Sequence, residues 1–130
     1  NLLKKLQKDR GLTYIFITHD LGVARYMADE IVVMFRGRIV ERGTRDEIFT
    51  TPRHHYTAGL LASVPVADFR GQKQFTADVI ALEPPGKNDA CAYRTRCSFG
   101  KNKNDCIAKP LVETLGSETH SWICHFPIER

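Results

Sequence analysis

No cysteine occurs before residue 91, although the chain holds 4 of them. That excludes a disulfide framework spread over the whole fold, as in small secreted scaffolds. No apolar run reaches the roughly 18 residues of a membrane-spanning helix. The opening residues, Asn1-Leu2-Leu3-Lys4-Lys5, lack the apolar core of a secretory signal. Internal repeats and low-complexity tracts are missing, which sets aside solenoids and tails. Charge of one sign never accumulates: 19 Lys and Arg face 15 Asp and Glu, and the net +4 is spread along the chain. A pI near 9.0 without a basic block is a weak argument for nucleic acid, and none is expected as a partner. No G-x-x-x-x-G-K-S/T phosphate loop is present.

What remains is the composition of a soluble globular chain, 42% hydrophobic and 26% charged over 130 residues. That length suits one domain, or one small domain joined to an incomplete piece. The absence of an initial Met is expected of a processed chain as well as of a fragment.

The first ten residues place Leu2, Leu3 and Leu6 among polar neighbours, with Gly11 at a stop position. They read as the end of an amphipathic helix. Thr13-Tyr14-Ile15-Phe16-Ile17-Thr18 follows: short, β-branched and aromatic, without alternation. It predicts a strand buried on both faces, as in a parallel α/β sheet. His19-Asp20 come next, then a helical pattern over residues 21–28, with Asp20 a candidate N-cap. Strand, polar pair and helix is the layout of a ligand-binding edge in an open α/β sheet.

Residues 30–42 predict a hairpin, with strands at 31–35 and 38–42 and Arg36-Gly37 as the two-residue turn. Gly43 is expected to end the second strand. Thr44-Arg45-Asp46-Glu47 is a capping box that opens a short helix before Pro52. Residues 54–63 predict another helix, closed by Pro65. Residues 66–87 are mixed and turn-rich, with a short strand expected at 78–82 and a break at Pro84-Pro85-Gly86. The expected organisation is therefore residues 1–65, a connector at 66–87, and a four-cysteine extension at 88–130.

Cys91, Cys97, Cys106 and Cys124 read C-x5-C-x8-C-x17-C. Four thiolates late in a small, loop-rich segment suit a four-ligand zinc or iron–sulfur site. They would also allow two disulfides, in any of three pairings. The spacing matches neither tight ferredoxin runs nor paired C-x2-C ribbons, and by itself leaves zinc and iron–sulfur open. The apolar content of residues 88–130 is modest, and a closed metal site contributes folding energy, on the order of 10 kcal/mol for structural zinc. His120 and His125 read as structural or exposed, because four thiolates already complete a site.

Tyr14-Ile15-Phe16-Ile17-Thr18-His19-Asp20-Leu21 resembles the strand and switch loop near the end of an ABC transporter ATPase domain. Met34-Phe35-Arg36-Gly37-Arg38-Ile39-Val40-Glu41-Arg42-Gly43 resembles the hairpin that follows there. Residues 49–65, with Pro52-Arg53-His54-His55-Tyr56-Thr57 at their centre, are similar to the extension motif of the oligopeptide/dipeptide/nickel importer subfamily. In that subfamily a four-cysteine region follows, as it does here.

The resemblance implies an α/β fold: the C-terminal part of an ABC ATPase domain (strand, switch loop, helix, hairpin, helices) with a small cysteine-rich irregular extension. It implies that His19 is the switch histidine, whose imidazole approaches the γ-phosphate of ATP and stabilises transition-state charge. It implies a [4Fe–4S] cluster on Cys91, Cys97, Cys106 and Cys124, with zinc, or disulfides after air oxidation, as the alternatives. The implied parent is cytoplasmic, peripheral on the inner membrane face, and pairs with a second ATPase subunit and membrane permease subunits. ATP and Mg2+ would bind only in that parent, because the phosphate loop, signature loop and acidic strand end lie upstream in the family. This chain alone is expected neither to bind ATP tightly nor to hydrolyse it. Its strand at 13–18 would be left without neighbours, so self-association is expected. The second function class is a zinc-stapled module binding nucleic acid or protein.

Overall fold

The structure is a computed structural model and describes residues 2–63 and 90–129. Helix α1 (Leu2–Arg10) runs to a stop at Gly11, whose φ of 62° is taken most easily by a residue without a Cβ. Helix α2 (Leu21–Met27) opens on Asp20, whose Oδ1 accepts the Gly22 and Val23 amides at 2.8 and 3.1 Å. Asp20 is thus an N-cap.

The hairpin forms as its sequence predicts. Strand β1 (Glu30–Phe35) pairs antiparallel with β2 (Arg38–Thr44). Both turn residues take positive φ, 49° at Arg36 and 77° at Gly37, the geometry that matches strand twist in a two-residue loop. The second strand runs one residue past Gly43. Val33 faces Glu41 while Met34 faces Ile39, so Val40 is a bulge. The extra residue changes the phase of β2. Val40 and Glu41 are consecutive, yet both are buried. Thr44 then caps α3 (Arg45–Thr50) through the expected reciprocal box with Glu47. Helix α4 (His55–Ala62) begins one residue later than the sequence suggests, with His54 outside it as the cap.

Residues 13–18 are not a strand, and no parallel ladder forms among the described residues. Ile15 is 93% and Ile17 101% exposed. A β-branched run favours a strand only where a ladder takes up its amides and a layer covers its faces. The described residues supply neither.

The extension is more regular than expected. It contains α5 (Asn104–Ala108), β3 (Thr114–Leu115) and β4 (Ser121–Trp122). β4 pairs antiparallel with the free edge of β2, Glu41 facing Trp122 and Arg42 facing Ser121. The sheet order is β1-β2-β4-β3. The Ile123 amide donates to the Val40 carbonyl at 2.9 Å and extends the contact.

The buried core is Val33, Phe35, Val40 and Ile48, with Tyr56, Leu60, Ala92 and Tyr93 packed against it. Phe35, Tyr56 and Tyr93 form an aromatic trio with centroids 4.7 to 5.3 Å apart. Tyr93 therefore ties the first cysteine turn to the hairpin. The connector and the strand expected at 78–82 lie outside the described residues. Among the described residues no helix is long and apolar enough to cross a membrane.

Candidate functional site

The four cysteines arrive from three local structures. Cys91 and Cys97 bracket a compact turn, in which the Cys97 amide donates to the carbonyls of Tyr93 and Arg94 at 3.0 and 3.3 Å. Cys106 sits on α5, and Cys124 lies two residues beyond β4. All four are free thiols; three are buried and Cys124 is half-buried. All four line one narrow cavity of about 10 Å3, partly open to solvent. Sequence spacing alone did not establish that convergence. It depends on β4 docking onto β2.

Gly100 lies between two of the sulfurs. Its amide donates to Cys97 Sγ at 3.2 Å. A Cβ there would come to 3.0 Å from Cys106 Sγ and 3.4 Å from Cys97 Sγ. Backbone approaches this close to sulfur only where no side chain intervenes. Burial pushes the Cys91 and Cys106 thiols up. It pushes Cys124 to about 12, with the neighbouring thiols adding to the effect. Without a bound cation the site favours thiols over thiolates, so a metal group entering it displaces protons.

Beside the cavity stands a buried carboxylate that sequence reading left as an ordinary strand residue. Glu41 is fully buried. Its Oε1 accepts the Arg53 amide at 2.7 Å and lies 2.8 Å from His120 Nε2; its Oε2 accepts the His54 amide at 3.0 Å. One side chain thus joins β2, the start of α4 and the extension. The sequence offered little signal, because β2 reads Arg38-Ile39-Val40-Glu41-Arg42-Gly43-Thr44 and Glu41 is one charged residue among three.

His54 also went unnoticed as a site residue. It is 1% exposed and lines the cysteine cavity. Its Nδ1 accepts the Tyr56 amide at 3.0 Å. Burial holds its pKa down at about 4, with Glu41 opposing and His55 assisting. The imidazole is therefore neutral at pH 7. His55 and His125 line the same cavity, but their Nε2 atoms face the carbonyls of Phe126 (2.9 Å) and Lys109 (3.3 Å). His120 is structural, as expected.

His19 stands elsewhere. It is exposed, immediately before the α2 cap, and is not among the residues lining the cysteine cavity.

Residues 40–106 match the family described as "Oligopeptide/dipeptide transporter, C-terminal region". Among curated proteins, the oligopeptide transport ATP-binding protein OppD of Bacillus subtilis (strain 168) is 45% identical over 130 residues, covering 95% of this chain and 35% of the relative. The oligopeptide transport ATP-binding protein OppF of Escherichia coli (strain K12) is 38% identical over 128 residues, covering 95% and 37%. The dipeptide transport ATP-binding protein DppF of the same strain is 44% identical over 101 residues, covering 75% and 29%. The chain spans about a third of the length of the curated relatives it matches.

Proposed function

The chain belongs to the oligopeptide/dipeptide transporter C-terminal-region family, and from that membership we propose that it is the C-terminal part of the ATP-binding subunit of a peptide-type ABC importer. In this reading Cys91, Cys97, Cys106 and Cys124 hold a [4Fe–4S] cluster. The observation that carries the cluster is the convergence of four free thiols on one cavity.

One detail suits a cluster: the Gly100 amide on Cys97 Sγ is the kind of N–H···S bond that tunes iron–sulfur clusters. When bound, the cluster would cross-link the 91–97 turn, α5 and Cys124 beyond β4. This chain's own residues would position it: Gly100 by leaving room, and Tyr93 by fixing the turn against Phe35.

His19 is proposed as the switch histidine of the intact subunit, reaching the γ-phosphate once the upstream ATP- and Mg2+-binding residues are in place. Its exposure ahead of α2 supports that role. The intact subunit would pair with a second ATPase subunit on permease subunits at the cytoplasmic membrane face. The isolated chain would self-associate through apolar residues such as Ile15 and Ile17, and strictly monomeric light scattering at high concentration would count against it.

The deciding experiment is metal and acid-labile sulfide analysis of chain purified without oxygen, with a visible spectrum. About four irons and four sulfides per chain are expected. One zinc without sulfide would overturn the cluster and favour the zinc-stapled module. Neither metal, with no free thiols, would mean disulfides.

A further inference from the structure

Buried polar atoms without partners are rare in folded proteins, and each one asks for an explanation. His54 Nε2 is such an atom. The Tyr56 amide donates to Nδ1 at 3.0 Å, so the neutral ring carries its proton on Nε2. An N–H donor is therefore buried without an acceptor, on a residue that lines the cysteine cavity. The other two histidines there already meet backbone carbonyls through Nε2. The ring of His54 is held in place from several sides. Its own amide donates to Glu41 Oε2 at 3.0 Å, and its ring packs 6.0 Å from that of Tyr93.

We infer that His54 Nε2–H donates a hydrogen bond to a sulfur of the group bound in the cysteine cavity and sets its reduction potential. This rests on the cluster reading above. The bond completes the one unmet donor of His54, and it stabilises added negative charge on sulfur. His54 is thus a positioning and tuning residue that spans two structures. Through Nδ1 it caps α4, and through Nε2 it senses the charge of the bound group. The step it modulates is one-electron reduction, with dithionite as donor. The electron enters the cluster, no bond to sulfur forms or breaks, and the imidazole keeps its proton.

Two substitutions separate this role from helix capping. His54→Asn keeps an acceptor for the Tyr56 amide, since Asn is a favoured cap, but has no donor at the Nε2 position. His54→Gln loses the favoured cap but carries an amide donor near that position. Capping alone ranks Asn above Gln, whereas sulfur bonding ranks Gln above Asn. The test is dithionite titration of the three anaerobically purified chains at matched iron and sulfide content. A lower potential in His54→Asn is expected, by about a tenfold change in the one-electron equilibrium (59 mV), with recovery in His54→Gln. Equal potentials in all three would overturn the inference and leave the cluster intact. Absence of iron and sulfide from the wild-type chain would remove the cluster, and this inference with it. Should His54→Asn fail to fold, pulsed EPR of the reduced wild-type chain carrying 15N-histidine decides. A coupled imidazole nitrogen that is lost in the labelled His54→Gln chain supports the bond, and its absence from the wild type overturns it.

Discussion

His120 Nε2 lies 2.8 Å from Glu41 Oε1, across 79 residues of sequence, and both side chains are buried. The same carboxylate accepts the amides of Arg53 and His54. Glu41→Ala leaves three donors unmet, two of them buried. A loss on the order of 3 kcal/mol is expected in urea unfolding followed by the fluorescence of Trp122, the single tryptophan. A double-mutant cycle with His120→Ala should return a coupling of about 1–3 kcal/mol. Additive losses would show that the pair is not energetically linked.

Glu47 gives the fold an acid limit. Burial raises its carboxyl, but hydrogen bonds from the Thr44 amide and hydroxyl, Thr119 and Ser117 outweigh burial and hold the pKa at about 2, below an ordinary 4.5. The unfolded chain then binds more protons than the folded one between those values. The stabilisation is complete above about pH 4.5 and is lost as pH falls towards about 2. Glu47→Gln should lower the urea midpoint at neutral pH and flatten its fall across that window. Parallel curves for the two proteins would contradict this.

Gly116 sits under the Trp122 ring. A Cβ added there would penetrate the ring atoms Cη2 and Cζ3. The Gly116 amide is meanwhile fixed to the His120 carbonyl at 2.8 Å, which limits the escape. Gly116→Ala should displace the indole and cost about 1–3 kcal/mol. A shifted Trp122 emission in the folded state, together with a lower urea midpoint, is the expected signature.

Gly100→Ala tests the cavity without touching a cysteine. The added methyl presses on Cys106 Sγ and Cys97 Sγ. Iron retained after anaerobic desalting should fall severalfold, while far-UV circular dichroism stays close to wild type because the hairpin lies elsewhere. Undiminished iron would show that the sulfurs have room to move.

The elements legible in the sequence were those whose causes are local. Asp20 and Thr44 cap helices through hydrogen bonds within three residues, and Arg36-Gly37 closes a hairpin through its own dihedrals. Residues 13–18 misled for the opposite reason: composition gives strand preference, but neighbours make a strand. The bulge at Val40 was hidden because it depends on the register between β1 and β2, and with it went the burial of Glu41. The cysteines were legible as a set. His54 was not, because its meaning comes from what surrounds Nε2, and the sequence placed it in a helix rather than at its cap.

The strand order β1-β2-β4-β3 carries a timetable. The hairpin β1–β2 closes over two residues and belongs to events of about 1–10 μs. Pairing of β2 with β4 brings together residues such as Glu41 and Trp122 across most of the chain. Lengthening a loop costs little stability, but non-local pairing slows folding. Cys124 lies two residues beyond β4, so its place in the cavity depends on that non-local pairing. Closure of the sheet and completion of the four-thiol cavity are thus one event, slower than closure of the hairpin.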